Sequence, residues 1–153
     1  MSERRLVRSL QRLSHALAKL ERQTAAQHDI SASQLRILLA LGAASATAVV
    51  ESAGEPSRVS ELARTQGLAV STMTRNLDVL ERKGFILRRT GQSDRRTVTV
   101  CLTDDGAGAA LRLRDATTAQ YHQAFRRFHP SDRVERAVAL DRVAEALEGV
   151  AAP

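Results

Sequence analysis

The chain of 153 residues has one cysteine, Cys101, and no tryptophan. A single thiol excludes a disulfide framework within the chain and a thiolate-rich metal site. Lysine is almost missing, since Lys19 and Lys83 are the only two among 23 basic residues. Long apolar runs are missing too. The longest, Ile37 to Val50, spans 14 residues, includes Ser45 and Thr47, and is too short to cross a bilayer. No continuous apolar segment follows Met1-Ser2-Glu3-Arg4-Arg5-Leu6, so the start does not read as a signal peptide, and a cytoplasmic location with no membrane partner is the expectation. There is no internal repeat and no low-complexity tail.

Signatures of catalysis are also scarce. Gly106-Ala107-Gly108 opens a helix after a strand, but the third glycine position of a dinucleotide fingerprint is Leu111, and a strand-helix-strand unit is missing. The sequence offers no nucleophile elbow, no phosphate-cradling loop and no paired carboxylates. His15, His28, His122 and His129 are scattered without the spacing of a chelating pair. Neither a cofactor nor a metal is expected, and the chain does not read as an enzyme. Cys101 reads as a small inert residue alternating away from the buried face of its strand.

What the chain does have is clustered positive charge. The net charge is +6. Between Arg75 and Arg96 seven basic residues face three acidic ones, and residues 1 to 23 hold a further excess through Arg4, Arg5, Arg8, Arg12, Lys19 and Arg22 against Glu3 and Glu21. Such an excess favours polyanions, and Arg suits bidentate contact to phosphate and guanine.

The apolar pattern predicts a mainly helical protein with a small antiparallel β-wing. Leu6, Leu10, Leu13, Leu17 and Leu20 make a heptad-like seam on a helix over about residues 3 to 26, and it fits equally a helix facing its own core or one packing across a dimer. Ser33 is expected to cap a second helix whose face uses Leu35, Leu38, Leu39 and Leu41 or Gly42. The small-residue stretch from Ala43 either extends that helix or loops, and Gly54-Glu55-Pro56 ends it. Ser60 is expected to cap a short helix closed by Gly67, and Val70, Met73, Leu77 and Leu80 form the core stripe of a helix from about Val70 to Lys83. Phe85 to Arg89 and the alternating Thr97 to Leu102 predict a two-stranded hairpin around a polar turn. Thr103 caps a long helix reaching about Phe128; Pro130 breaks the chain, and Ser131 or Asp132 caps a last helix.

A helix-turn-helix followed by a basic hairpin suits the gripping of a DNA duplex. Ser71, Thr72, Thr74 and Arg75 lie on the polar side of the second of these helices, where short hydroxyls and an Arg suit base edges and phosphates. Arg95 and Arg96, at the hairpin turn, are placed to reach an adjacent minor groove.

From Ser33-Gln34-Leu35 through Val59-Ser60-Glu61-Leu62-Ala63, Ser71-Thr72-Met73-Thr74-Arg75, Leu80-Glu81-Arg82-Lys83-Gly84-Phe85, Ser93-Asp94-Arg95-Arg96 and Leu102-Thr103-Asp104-Asp105-Gly106, the chain resembles the MarR family of bacterial winged-helix transcriptional regulators. The resemblance implies a homodimer on double-stranded DNA, with an N-terminal dimerisation helix in 1–32, a winged helix-turn-helix in 33–103 and C-terminal dimerisation helices in 104–153. It implies that Ser71, Thr72, Thr74 and Arg75 face DNA, that Arg96 enters the minor groove, and that Asp78 and Asp94 orient the wing. It also implies a repressor freed from a pseudo-palindromic operator by a small aromatic or phenolic acid, in a cleft near His15, Arg22, Leu38, Leu41 and Leu111. Two departures stand out: the connection from Ala43 to Pro56 is longer than the family's, and Ala69 replaces a capping Ser. The alternatives from other classes are a non-specific or architectural DNA-binding protein, and a winged helix that serves as a protein–protein interaction module.

Overall fold

The computed structural model describes residues 3–47, 57–90 and 98–151. Its order is α1 (Glu3–Gln27), α2 (Ala32–Thr47), β1 (Ser57–Arg58), α3 (Val59–Thr65), α4 (Val70–Arg82), β2 (Ile86–Thr90), β3 (Val98–Leu102), α5 (Asp104–Phe125) and α6 (Pro130–Ala151). Residues 1–117 form one compact unit and 118–153 a second. No described helix is long and apolar enough to span a membrane.

Two of the described helices, α2 and α5, start where a side chain takes up backbone donors. Ser31, rather than the expected Ser33, caps α2: its Oγ accepts from Gln34 N at 3.2 Å while Gln34 Oε1 accepts from Ser31 N at 2.9 Å. This reciprocal capping box works because Gln34 stands three residues after the serine. α3 begins at Val59, with Arg58 as its N-cap and no side-chain cap, so Ser60 lies inside the helix instead of before it. Ala69 likewise leaves α4 without a side-chain cap. Thr103 caps α5 as expected, with Gly106 N donating to its Oγ1 at 3.0 Å. Pro130 opens α6 rather than merely breaking the chain, since its fixed φ and missing N–H suit the first helical position. α5 ends at Phe125, three residues before the expected end.

The hydrophobic core of the first unit gathers Leu35, Ile37, Leu38 and Leu41 of α2, Leu62 of α3, Met73, Leu77 and Leu80 of α4, Ile86, Val100 and Leu113. Two expectations about the sheet need correction. The hairpin pairs Ile86 with Leu102 and Thr90 with Val98, but β1 adds a third strand against β3, giving the order β1-β3-β2. Cys101 is buried at 5% exposure beside Val100 and Leu102, so the last three residues of β3 are all buried instead of alternating. Its Sγ lies 3.7 Å from the Leu87 carbonyl oxygen.

One crossing locks the end of α4 to the start of α5. Gly84 takes φ +75°, which turns the chain out of α4. Thr103 Oγ1 then donates to Gly84 O at 2.6 Å, and Thr103 N donates to Phe85 O at 3.1 Å. A Cβ on Gly106 would overlap the Phe85 carbonyl, which these bonds hold in place. A second link reaches the same helix end from the α1–α2 corner: Lys83 Nζ donates to Asp29 O at 2.6 Å and to Asp29 Oδ2 at 2.8 Å. Asp29 sits at φ +55°, a conformation that Asn and Asp tolerate best among residues with a Cβ.

Two stability outcomes follow. Gly106→Ala should cost at least about 2 kcal/mol, seen as a midpoint lowered by roughly 4–8 °C in thermal unfolding. The Lys83 hydrogen bond, aided by its charge, holds the Asp29 carboxyl below its ordinary value near 3.8. The stability from this link is therefore present above that ordinary value and lost as pH falls through the lower folded one. Asp29→Asn, which keeps the backbone preference, should leave stability at pH 2 unchanged and lower it slightly at pH 6, as urea titrations at both pH values would read.

Candidate nucleic-acid interface

The α3–turn–α4 segment forms because each helix has an apolar side to bury, and burial of Leu62, Ala63, Met73, Leu77 and Leu80 leaves the opposite side of α4 in solvent. Ser71, Thr72, Thr74 and Arg75 are all exposed there, so the four expected reading positions lie in solvent on either side of the buried Met73. Two polar side chains on α4 turn back on the helix. Thr74 Oγ1 donates to Val70 O at 2.9 Å, and Asn76 Nδ2 donates to Thr72 O at 3.0 Å. Ser71, Thr72 and Arg75 make no such bond among the described residues.

The residue that fixes this helix against the hairpin is Arg88 on β2. Its Nη1 lies 2.7 Å from Asp78 Oδ1, its Nη2 donates to Thr74 O at 3.0 Å, and its Nε faces Glu81 Oε2 at 3.7 Å. Thr74, Asp78 and Glu81 follow one another at four- and three-residue spacing, so one guanidinium grips two turns of α4. The arginine is three-quarters buried, where its contacts are less screened than those of a surface pair. Sequence reasoning read Arg88 only as part of a basic strand. The usable signal was its place three residues after the Gly84-Phe85 turn, within reach of acids on the preceding helix.

Asp78 therefore orients the strand through Arg88. The expected partner, Arg96, lies outside the described residues with Arg95 and Asp94. Arg89, exposed on β2, accepts from Thr99 Oγ1 through its carbonyl at 3.1 Å, which leaves its side chain toward solvent.

The five residues expected around an effector differ in burial. Leu38 and Leu41 belong to the core, whereas His15, Arg22 and Leu111 are exposed. Leu38 lines a small cavity of about 120 Å³ with His28, Ile30, Phe85, Arg112 and Leu113. No group of three or more potential metal ligands occurs among the described residues.

Comparison with known proteins gives this arrangement a setting. Residues 52–98 match the model of the MarR family. Among solved structures, MarR from E. coli superimposes with a TM-score of 0.75 at 22% identity, over 94% of this chain and 96% of that one. FabT from Streptococcus pneumoniae, solved in complex with DNA, gives 0.77 at 20% identity, over 97% and 99%. MepR, a transcription regulator of an S. aureus multidrug efflux pump, gives 0.73 at 18%, over 96% and 99%. No curated protein sequence matches significantly. Residues 52–98 are thus similar to the MarR family, and the chain as a whole shares the fold of these structures.

Proposed function

We propose that this chain is a homodimeric, sequence-specific DNA-binding transcriptional regulator of the cytoplasm, acting as a repressor. The single observation that carries this reading is the solvent-facing edge of α4, with Ser71, Thr72 and Arg75 on a helix that Arg88 holds at a fixed attitude to the β-wing. Rigid support of that kind is what base readout needs, because hydrogen bonds to base edges tolerate little misplacement. The duplex bound in the FabT structure supports it.

Dimerisation, expected of segments 1–32 and 104–153, is favoured by apolar side chains left uncovered. In α1, Leu6 is 54% exposed and Leu13 40%; in the second unit, Val134 and Leu147 are exposed. Apolar side chains repeated along helices in this way suit burial against a second copy. Two copies would set two recognition helices on half-sites about 34–36 Å apart, and a small rotation breaks that fit. A small aromatic or phenolic acid is the proposed releasing ligand. The cavity at Leu38 has Arg112 and His28 at its wall to meet a carboxylate, with Arg22 and His15 available on α1.

Selection of bound duplexes from a random library tests the reading. The expected result is a pseudo-palindrome with half-sites one turn apart, bound at least about 10³-fold more tightly than random duplex. With about eight phosphates neutralised, the log–log salt slope should be near −7. Equal affinity for all sequences would establish the architectural alternative, and no duplex binding the protein–protein one. Arg75→Ala should weaken operator binding by about 1–3 kcal/mol, as fluorescence anisotropy would measure. Arg88→Ala should reduce operator affinity at least about 10-fold with the salt slope unchanged, because its guanidinium holds the helix rather than a phosphate. Arg88→Lys should recover only part of the loss, since lysine has no fork to span the acceptors.

A further inference from the structure

The charge on α1 is sorted as well as plentiful. At 100° per residue, Arg4, Arg8, Arg12, His15, Lys19 and Arg22 fall within an arc of roughly 80°. From Arg4 to Arg22 no other residue enters that arc. The leucine seam lies on the opposite side of the helix, and both acids, Glu3 and Glu21, fall near the seam, well off the basic arc. All six side chains of the arc are exposed. None of them forms an ion pair or hydrogen bond among the described residues. The ladder is roughly 27 Å long, with a new side chain every 4.5–6 Å at 1.5 Å rise per residue.

A solvated helix face of ordinary composition alternates its charges, because like charges four residues apart repel by a few tenths of a kcal/mol. Here five full cations stand in one row with no counter-charge of their own. We infer that this row is a second nucleic-acid surface, which binds the phosphate backbone of a duplex without regard to sequence. Four of the five are arginines, whose guanidinium forks take phosphate oxygens in pairs. A stiff ladder of cations matches a phosphate strand better than a bilayer. An interfacial helix must bury its apolar side between headgroups, and on the dimer reading the leucine seam is already covered. The surface is separate from the winged helix and does not require that region to read sequence. In a regulator bound to its operator through α4, it would hold flanking DNA or a second segment.

The test uses the full-length chain and a 30-bp duplex of random sequence, with binding read by anisotropy across a salt series. One variant changes Arg4, Arg8, Arg12 and Arg22 to Gln. A charge-matched control changes Arg114, Arg126, Arg127 and Arg142, also exposed, to Gln. Arg126 and Arg127 lie in the turn after α5 and the other six on helices, where Gln is a good helix former, so circular dichroism should report unchanged folding. The expected result is at least a 10-fold loss of affinity for the first variant at low salt, with the log–log slope shallower by up to about 3–4 units. The control should change little, and Arg→Lys at the same four positions should keep most of the binding. Operator recognition by the first variant should keep its preference over random duplex, which separates failure of this inference from failure of the winged-helix reading. Equal losses in the two Gln variants would overturn it, reducing the row to bulk charge. Unchanged duplex binding, with α1-dependent capture of phosphatidylserine vesicles instead, would overturn it in favour of a membrane.

Discussion

The geometry of the winged helix hangs on one arginine. Arg88 is the point where the sheet and α4 are joined by charge as well as by packing, through acceptors on Thr74 and Asp78 and the nearby charge of Glu81. Apolar contact between Leu77, Leu80 and Ile86 tells the helix which side faces in, but such contact is non-directional and leaves the helix free to slide or roll by small amounts. A planar guanidinium meeting two carboxylates and a backbone carbonyl removes that freedom. Lys83 and the Gly84–Thr103 crossing fix the other end of the helix to the α1–α2 corner and to α5. The exposed edge of α4 is thus held at both ends.

Positions whose physics is local were legible in the sequence. The stripe of Met73, Leu77 and Leu80 marked α4 and its buried side, Lys83-Gly84 marked its end, and Thr103 with two aspartates marked the start of α5. The exposure of Ser71, Thr72, Thr74 and Arg75 around buried Met73 followed from the same periodicity. Asp78 was singled out from the sequence as a partner for Arg96, which lies outside the described residues; its ion pair with Arg88 was not foreseen. A guanidinium's partner depends on distances in three dimensions, and Arg88 sat in a strand already explained by its hydrogen bonds.

Other features were hidden because competing local signals were equally good. Ser31 and Ser33 both suit a cap, and only the glutamine at 34 favours the first. β1 is two residues long, with no periodicity to detect, and is defined by its pairing to Val100 and Thr99. Cys101 appeared to alternate outward, yet alternation predicts burial only when one side of a sheet meets water. Leu38, placed with His15 in the expected effector cleft, belongs to a core that α4 and α5 also fill, which spacing along the chain does not reveal.

The two hydrogen bonds by which Thr74 and Asn76 turn back on α4 have a consequence for what a duplex would meet. Once its hydroxyl proton is committed to Val70 O, Thr74 has only lone pairs to offer outward. In a major groove, lone pairs are satisfied by the amino groups of adenine and cytosine and repelled by the oxygens of guanine and thymine. On the DNA reading proposed above, a threonine that is ambidextrous in isolation would become a one-handed probe, with the carbonyl of Val70 setting a preference for amino-bearing bases.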